Sequence, residues 1–275
     1  MNDLTQDALA SLRELPESLL NEIPILLVNR KGQTDDAYMR VKNITGFVEP
    51  DRNYQLGLGM FELTENTPEI KNVEPSSPLR CKVVGEWKQL ITANEGEQAA
   101  NILGDYGRFY LSEDTDNVEI PVSKATRGAL SYYGCQLVRV GEFVRFGGDS
   151  ALPVTITSVG RSYVDGYLMH PNLGAGAYLE VHNRPHFHMP LDNKTKGALI
   201  LGKKRADDVI ELSAFTIPLG YGVYTPPWVI HADSHLIGNY MVVFSRTEHY
   251  STVLVRRQNN ELASIRLTTA TINNP

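Results

Sequence analysis

The sequence predicts a mainly β fold, α+β overall, in which a mixed N-terminal region (residues 1–125) precedes a β-rich region (residues 126–275). Near the N-terminus, apolar residues recur at three- and four-residue spacing, which is typical of an amphipathic helix. From about residue 134, short segments rich in β-branched and aromatic residues alternate with turn residues, which is typical of a β-sandwich or β-barrel. The length of 275 residues suits one large domain or two ordinary ones.

The N-terminal region predicts a helix followed by irregular structure. The apolar stripe of residues 3–22 predicts the helix, and Pro16 could divide it into two shorter ones. This region could dock on the β-rich region, extend its sheets or be a degenerate second copy of it. Its further predicted elements are a strand over residues 25–28, a surface loop over 65–78 and a short helix over 95–103.

The β-rich region predicts ten short strands. Turn residues such as Gly147-Gly148-Asp149 and Pro171-Asn172 separate them. The predicted strands cover residues 136–146, 154–159, 162–169, 177–181, 197–201, 209–217, 223–225, 239–244, 252–255 and 264–269.

The composition narrows the classes of function. A net charge of −6 leaves no basic excess to attract phosphate, so we expect no nucleic-acid partner and no membrane partner. No apolar stretch approaches the ~20 residues that span a bilayer, and no signal peptide is evident, so we expect a cytoplasmic location. The two cysteines, Cys81 and Cys135, are isolated in sequence, which favours buried free thiols over a disulfide.

Histidine is confined to the C-terminal part of the chain. All seven histidines follow residue 169. His186 and His188 are separated by one residue, and a strand would place both imidazoles on one face because side chains alternate. A third imidazole from a neighbouring strand, that of His231, would complete a facial metal site.

The segments around these histidines resemble the two motifs of the cupin superfamily. The first motif is His-x-His followed by a glutamate and then a glycine, and the second is a spaced glycine–proline–glycine–histidine pattern. The resemblance covers roughly residues 134–260 and implies a small jelly-roll barrel. The matching residues are His186, His188, Asp192 and Gly197 in the first motif, and Gly220, Pro226, Trp228 and His231 in the second.

Four positions depart from the cupin pattern. Glu180 stands where a glycine is expected before the first motif, and Asp192 replaces the usual glutamate with a side chain one methylene shorter. Trp228 replaces the common second glycine and places a large aromatic ring at the mouth of the predicted barrel. His235 replaces an asparagine that often follows the last histidine.

The resemblance implies that His186, His188 and His231 bind a divalent transition metal, with Asp192 either a fourth ligand or a turn residue. We expect iron first, with zinc, manganese or nickel as alternatives, since imidazole suits all of these metals. A cupin that has lost its metal is the remaining alternative. Because the edges of cupin barrels often pair, the resemblance also implies a homodimer.

Strand alternation adds candidate catalytic residues. On an ideal strand, Glu180 and His182 would share the face of His186 and His188, unless Pro185 bulges the strand. Glu180 or His182 could then act as an acid–base residue near the metal. Tyr224 could line the mouth of the barrel, and a packing role for each of these side chains is the alternative.

These residues predict a metal-dependent cupin enzyme that acts on a small polar organic molecule, with oxygenase-type chemistry ahead of two alternatives. In the first alternative, the metal is a Lewis acid for isomerisation, decarboxylation or elimination. In the second, the protein is a non-catalytic cupin that binds a small ligand. The resemblance in fold does not choose among them, because function depends on the site.

Overall fold

The computed structural model describes residues 15–22, 28–66, 73–89, 106–206, 208–244, 247 and 249–269. Of these residues, 52% lie in strands and 7% in helices, so the mainly β class is confirmed. Within them, no helix is long and apolar enough to cross a lipid bilayer.

The predicted N-terminal helix over residues 3–22 lies mostly outside the described residues. Of this segment the structure describes residues 15–22, which contain a short helix, α1 (Glu17–Leu20). The predicted helix over residues 95–103 and most of the predicted strand over 25–28 also lie outside the described part of the chain.

Eight strands, numbered with all others in chain order, form a first sheet. They are β1 (Asn29–Lys31), β2 (Tyr38–Val48), β8 (Gln136–Arg139), β10 (Leu152–Val159), β12 (His186–Pro190), β13 (Lys196–Gly197), β16 (Tyr221–Thr225) and β18 (Leu236–Val243). Their order is β1-β2-β10-β18-β12-β16-β8, and β13 pairs with β18 off this path. All of these pairings are antiparallel.

Nine strands form a second sheet, which closes on itself. They are β5 (Cys81–Lys88), β6 (Gly107–Leu111), β7 (Val118–Lys124), β11 (Tyr178–His182), β14 (Leu199–Ala206), β15 (Val209–Thr216), β17 (Ile230–Ala232), β19 (Tyr250–Arg256) and β20 (Ile265–Thr269). Their order is β14-β17-β11-β19-β6-β5-β15-β7-β20, and β14 also pairs with β15. The seven strands from β14 to β15 in this order therefore form a closed barrel, which is mixed because β19 and β6 run parallel.

A small third sheet covers the outer face of the first. It contains β3 (Asn53–Gly57), β4 (Met60–Thr64) and β9 (Phe143–Arg145) in the order β4-β3-β9. A short helix, α2 (Arg127–Ser131), precedes β8, and Ala129 donates its backbone N–H to the Thr126 hydroxyl that caps it.

The predicted strand over residues 162–169 is instead a π-helical turn, Val164–Leu168. The Gly166 amide donates to the Ser162 carbonyl at 2.7 Å, which closes a helical turn. Tyr163 and Tyr167 stack with their ring centroids 5.4 Å apart, an arrangement that four-residue spacing allows in a helix and not in a strand. The β-forming residues of this segment are thus used for ring packing across one turn.

Three of the four clusters of buried apolar residues in the described part of the chain define the layers of the molecule. One gathers barrel residues such as Leu179 and Ile230. A second fills the space between the first and third sheets and includes Phe187. The last lies between the first sheet and the barrel, where Leu201 of β14 meets Val223 of β16. This third layer, the inter-sheet layer, is where the histidines of β12 and β17 project.

The division of the chain near residue 125 stays a prediction. In the structure, β5 and β6 precede that boundary and pair with β15 and β19, which follow it. The two regions therefore contribute strands to one barrel.

Candidate metal centre

Four buried side chains from three strands converge in the inter-sheet layer. Glu180 and His182 lie on β11, His186 lies on β12 and His231 lies on β17. One potential ligand atom from each side chain lies within 4.8 Å of the others. We call these four residues the His/Glu cluster.

Strand register explains why two members of the cluster point towards the first sheet. Glu180 lies directly opposite His231, and His231 lies opposite Leu201. Residues opposite each other in an antiparallel pair share a face, and Leu201 packs in the inter-sheet layer. Leu179 and Val181, which alternate with Glu180, pack instead in the barrel cluster.

His186 reaches the cluster from the first sheet, because alternation along β12 directs its side chain into the inter-sheet layer. His188, two residues further along β12, lies opposite Val223, which belongs to the inter-sheet layer. Phe187, between the two histidines, packs on the opposite face of the sheet. The imidazoles of His186 and His188 therefore share a face, with their ring centroids 5.7 Å apart.

The tautomer of His231 is fixed by its backbone neighbour. Nδ1 of His231 lies 2.9 Å from the Val229 carbonyl oxygen, which only accepts hydrogen bonds, so Nδ1 carries the proton. In the neutral imidazole, Nε2 then presents a lone pair. This Nε2 lies 3.1 Å from Nδ1 of His186 and 3.3 Å from Oε1 of Glu180.

His182 is the member of the cluster that lacks hydrogen-bond partners. The residue is 3% exposed, and neither ring nitrogen makes a well-formed hydrogen bond, although an interaction with the Arg184 backbone partly offsets the effect of burial on the pKa of the ring. Its ring centroid lies 4.4 Å from that of His186 and 4.8 Å from that of His231. A buried polar group normally has a partner, and the four side chains of the cluster could hold a metal ion.

Burial controls the protonation of the cluster. It lowers the pKa of His182 to about 4 and that of His231 to about 3, and it lowers the pKa of His186 well below its usual value. The three imidazoles are therefore neutral at neutral pH, the form that binds a metal. Burial, with a contribution from the negative charge of Asp233, raises the pKa of Glu180 well above its usual value.

His188 lies beside the cluster and faces a carboxylate. Its side chain is fully buried, and its Nε2 lies 3.7 Å from Oδ2 of Asp233. The Tyr178 hydroxyl donates to Oδ1 of Asp233 at 2.5 Å. Burial opposes ionisation of Asp233, but its contacts with His188 and Tyr178 hold its pKa below the usual value. Asp233 is thus an ionised group between His188 and Tyr178.

The structure places Asp192 in a turn, outside the cluster. Its Oδ1 accepts the backbone N–H of Lys194 at 2.7 Å and that of Thr195 at 3.1 Å. Its Oδ2 lies 3.4 Å from Nδ2 of Asn239. These contacts, the Lys194 amide first, lower the pKa of Asp192. Its carboxylate serves the turn that follows β12.

Tyr224 lies on the opposite face of the first sheet from the cluster. It is paired with Phe187 and packs with that residue between the first and third sheets. Its hydroxyl accepts the Gly147 amide at 3.3 Å. Of the three predicted catalytic residues, the structure brings Glu180 and His182 to the cluster and leaves Tyr224 away from it.

Asp233 is the functional candidate that sequence reasoning missed. It follows His231 by two residues, which is the spacing that places side chains on the same face of an extended chain. That spacing was available in the sequence. Its partners in the structure, Tyr178 and His188, lie far from it in sequence, so the sequence could not identify them.

We expect the metal-free protein to lose stability as the pH falls from 7 to 5. The three imidazoles stay neutral when folded, whereas each takes up a proton in the unfolded chain below its ordinary pKa of about 6.5, which costs up to about 1.4 kcal/mol per pH unit. Glu180 opposes this, because it keeps its proton when folded and loses it above about 4.3 when unfolded. The combined effect of the three imidazoles on stability is larger than the opposite effect of the one carboxyl, so stability falls with the pH.

Thermal unfolding at pH 7, 6 and 5 in the presence of a chelator measures this dependence. His182→Gln should make the pH dependence shallower, because it removes one of the three buried imidazoles. A stability independent of pH over this range would contradict the buried neutral imidazoles.

No family model, curated protein or solved structure matches this chain. A mixed seven-strand barrel with a buried His/Glu cluster is compatible with a cupin jelly roll.

Proposed function

We propose that the protein is a metal-dependent enzyme that acts on a small polar organic molecule, with the His/Glu cluster as its metal site. The observation that carries the proposal is the pair of unpartnered nitrogens on the buried His182 ring, directly beside the lone pair of His231. Burying polar nitrogens without partners costs free energy, and a cation bound at the lone pair of this neutral imidazole would offset part of that cost.

The donor set fits a divalent transition metal. Three neutral imidazoles and one carboxylate suit iron, zinc, manganese and nickel. Two ligand atoms that each lie about 2.0–2.1 Å from one metal are roughly 3.3 Å apart in a tetrahedral site. The separations of 3.1 Å and 3.3 Å around Nε2 of His231 are also those of hydrogen bonds, and they would let one ion contact all three atoms. When bound, such a metal would polarise a substrate oxygen or activate dioxygen.

The residues of the chain have separate tasks in this proposal. The Val229 carbonyl fixes the His231 ring with its lone pair towards the cluster. The burial of the cluster excludes bulk water and strengthens each electrostatic interaction in it. Glu180 releases its proton as a cation binds, because the positive charge offsets the cost of burying its carboxylate.

For the reaction we propose oxygenase-type chemistry first, with iron as the metal. The alternative is Lewis-acid chemistry, namely isomerisation, decarboxylation or elimination. The pair of His188 and Asp233 favours the alternative, since it places an imidazole and an ionised carboxylate 3.7 Å apart beside the cluster, where they would serve acid–base chemistry. The homodimer and the cytoplasmic location remain predictions of the sequence.

Elemental analysis of protein purified without chelators should find about one divalent transition metal per chain, because the cluster offers four converging ligands. Iron, together with oxygen uptake when small polar organic acids and alcohols are added, would support the oxygenase. Zinc, manganese or nickel without oxygen uptake would support the Lewis-acid enzyme. Protein that is metal-free, and that also fails to bind iron, zinc, manganese and nickel in titrations, would contradict both.

A further inference from the structure

Two exposed aromatic side chains flank His182 at the edge of the cluster. The backbone N–H of Trp228 donates to the His182 carbonyl at 2.8 Å. Tyr250 of β19 lies directly opposite His182 of β11. Trp228 is 62% exposed, more than any other large hydrophobic side chain in the described residues, and Tyr250 is 37% exposed.

The backbone at Trp228 adopts a conformation that disfavours its own side chain. Its φ is +67°, in the left-handed region, where glycine is at ease and a bulky residue is an outlier. Trp228 is the only aromatic residue with a positive φ in the described part of the chain. Strain of this kind at the edge of a candidate site points to a functional role for the side chain.

The segment that carries Trp228 is tied to the cluster at two points. The Trp228 amide holds the His182 carbonyl, and the next carbonyl, that of Val229, holds the His231 ring. Pro226 and Pro227 precede it and restrict its backbone. The backbone that carries the indole is therefore held next to two residues of the cluster, while most of the Trp228 side chain is exposed.

We propose that Trp228, with Tyr250 on the other side of His182, is a stacking platform for the substrate, and that the substrate is a small molecule with a planar unsaturated ring bearing oxygen donors. The ring would lie on the indole while the oxygens reach the cluster. Stacking removes two apolar faces from water, which is what an exposed indole offers and a glycine does not. The inference rests on the proposed function, because the oxygen donors need the metal.

Two hydroxamates test the platform. Benzohydroxamate and acetohydroxamate carry the same metal-binding group, and only the first carries an aromatic ring. In calorimetric titrations of the zinc-loaded protein, benzohydroxamate should bind about threefold to tenfold more tightly, the range expected for one stacked ring. Trp228→Gly should abolish that difference and leave the affinity for acetohydroxamate unchanged.

Glycine is the informative replacement, because it accepts a φ of +67° and keeps the backbone N–H that holds His182. Leu63→Ala is the matched control: it truncates a side chain that is 60% exposed on β4 and should leave both affinities unchanged. In a Trp87→Phe background Trp228 is the only tryptophan, and benzohydroxamate, unlike acetohydroxamate, should shift its emission to shorter wavelengths.

The outcomes separate this inference from the proposed function. If zinc binds and the two hydroxamates bind equally well to the wild-type protein, the stacking platform is wrong and the metal site stands. The platform is also wrong if zinc binds and neither hydroxamate does, or if Trp228→Gly keeps the difference between them. If zinc itself does not bind, the proposed function fails and the inference fails with it.

Discussion

Replacing His231 by alanine should lower the affinity for zinc by more than about 100-fold. Changes to groups that merely orient a ligand already cost about 10–100-fold, and this change removes the ligand itself. Its Nε2 lies 3.1 Å from Nδ1 of His186 and 3.3 Å from Oε1 of Glu180, so the change removes a ligand atom that adjoins two other members of the cluster. Titration with zinc against a competing chelator measures the change.

Asp192→Ala and His249→Ala are the matched controls for this prediction. The Asp192 carboxylate is engaged in its turn and His249 is exposed, so both variants should keep the wild-type zinc affinity within about threefold. The zinc affinity of His188→Ala should lie between that of His231→Ala and that of the two controls, because His188 lies beside the cluster. A loss in Asp192→Ala as large as that in His231→Ala would move the metal site to the end of β12.

Replacing Glu180 by glutamine should have opposite effects on stability and on metal binding. In the metal-free protein burial raises the pKa of Glu180 well above its value in the unfolded chain, so the contribution of this one group to stability falls as the pH rises above about 4.3. Glutamine is of similar size and does not ionise. At pH 8 the metal-free variant should therefore unfold at a higher temperature than the wild type, while binding zinc at least about tenfold more weakly.

Glu211→Gln is the control of opposite sign. Glu211 is as buried as Glu180, but Tyr132, Arg205 and Arg80 contact its carboxylate. Despite its burial, these partners lower the pKa of Glu211 to about 2, so the ionised form stabilises the folded protein above the ordinary pKa of the carboxyl. Its replacement should therefore destabilise the protein at pH 8. A Glu180→Gln variant that is destabilised to the same extent would contradict a protonated Glu180.

The mainly β class could be predicted because local pattern carries it: short β-branched segments with turns between them. The closure of the barrel could not. It depends on the parallel pairing of β6 with β19 and on β5 lying beside β15, contacts between segments far apart in sequence. No local periodicity specifies which distant strand becomes a neighbour.

The candidate site was predictable in residue type more than in geometry. Alternation along a single strand suggested that Glu180 and His182 share a face with His186. In the structure the chain changes sheets at residues 183–185, and the side chains meet because two facing sheets project them into one layer. The same residues converge because the chain passes from one sheet to the other, and Pro185 was the only sign of this break in the sequence.

Asp192 illustrates a local signal that competes with a motif. The order of residues resembled a metal-binding motif, whereas the chemistry of Asp192-Asn193-Lys194 is that of a turn in which an aspartate accepts a nearby backbone amide. In the structure the carboxylate makes these turn contacts. An aspartate that can accept the backbone amides two and three residues ahead should be interpreted as a turn residue before it is interpreted as a metal ligand.

Anomalous diffraction from crystals of the zinc-loaded protein tests the central claim most directly. We predict one strong peak in the inter-sheet layer, about 2.0–2.2 Å from ligand atoms of Glu180, His182, His186 and His231. A peak bonded to His188 and Asp192 instead, or no peak between the two sheets at saturating zinc, would contradict the claim that the His/Glu cluster is a metal site.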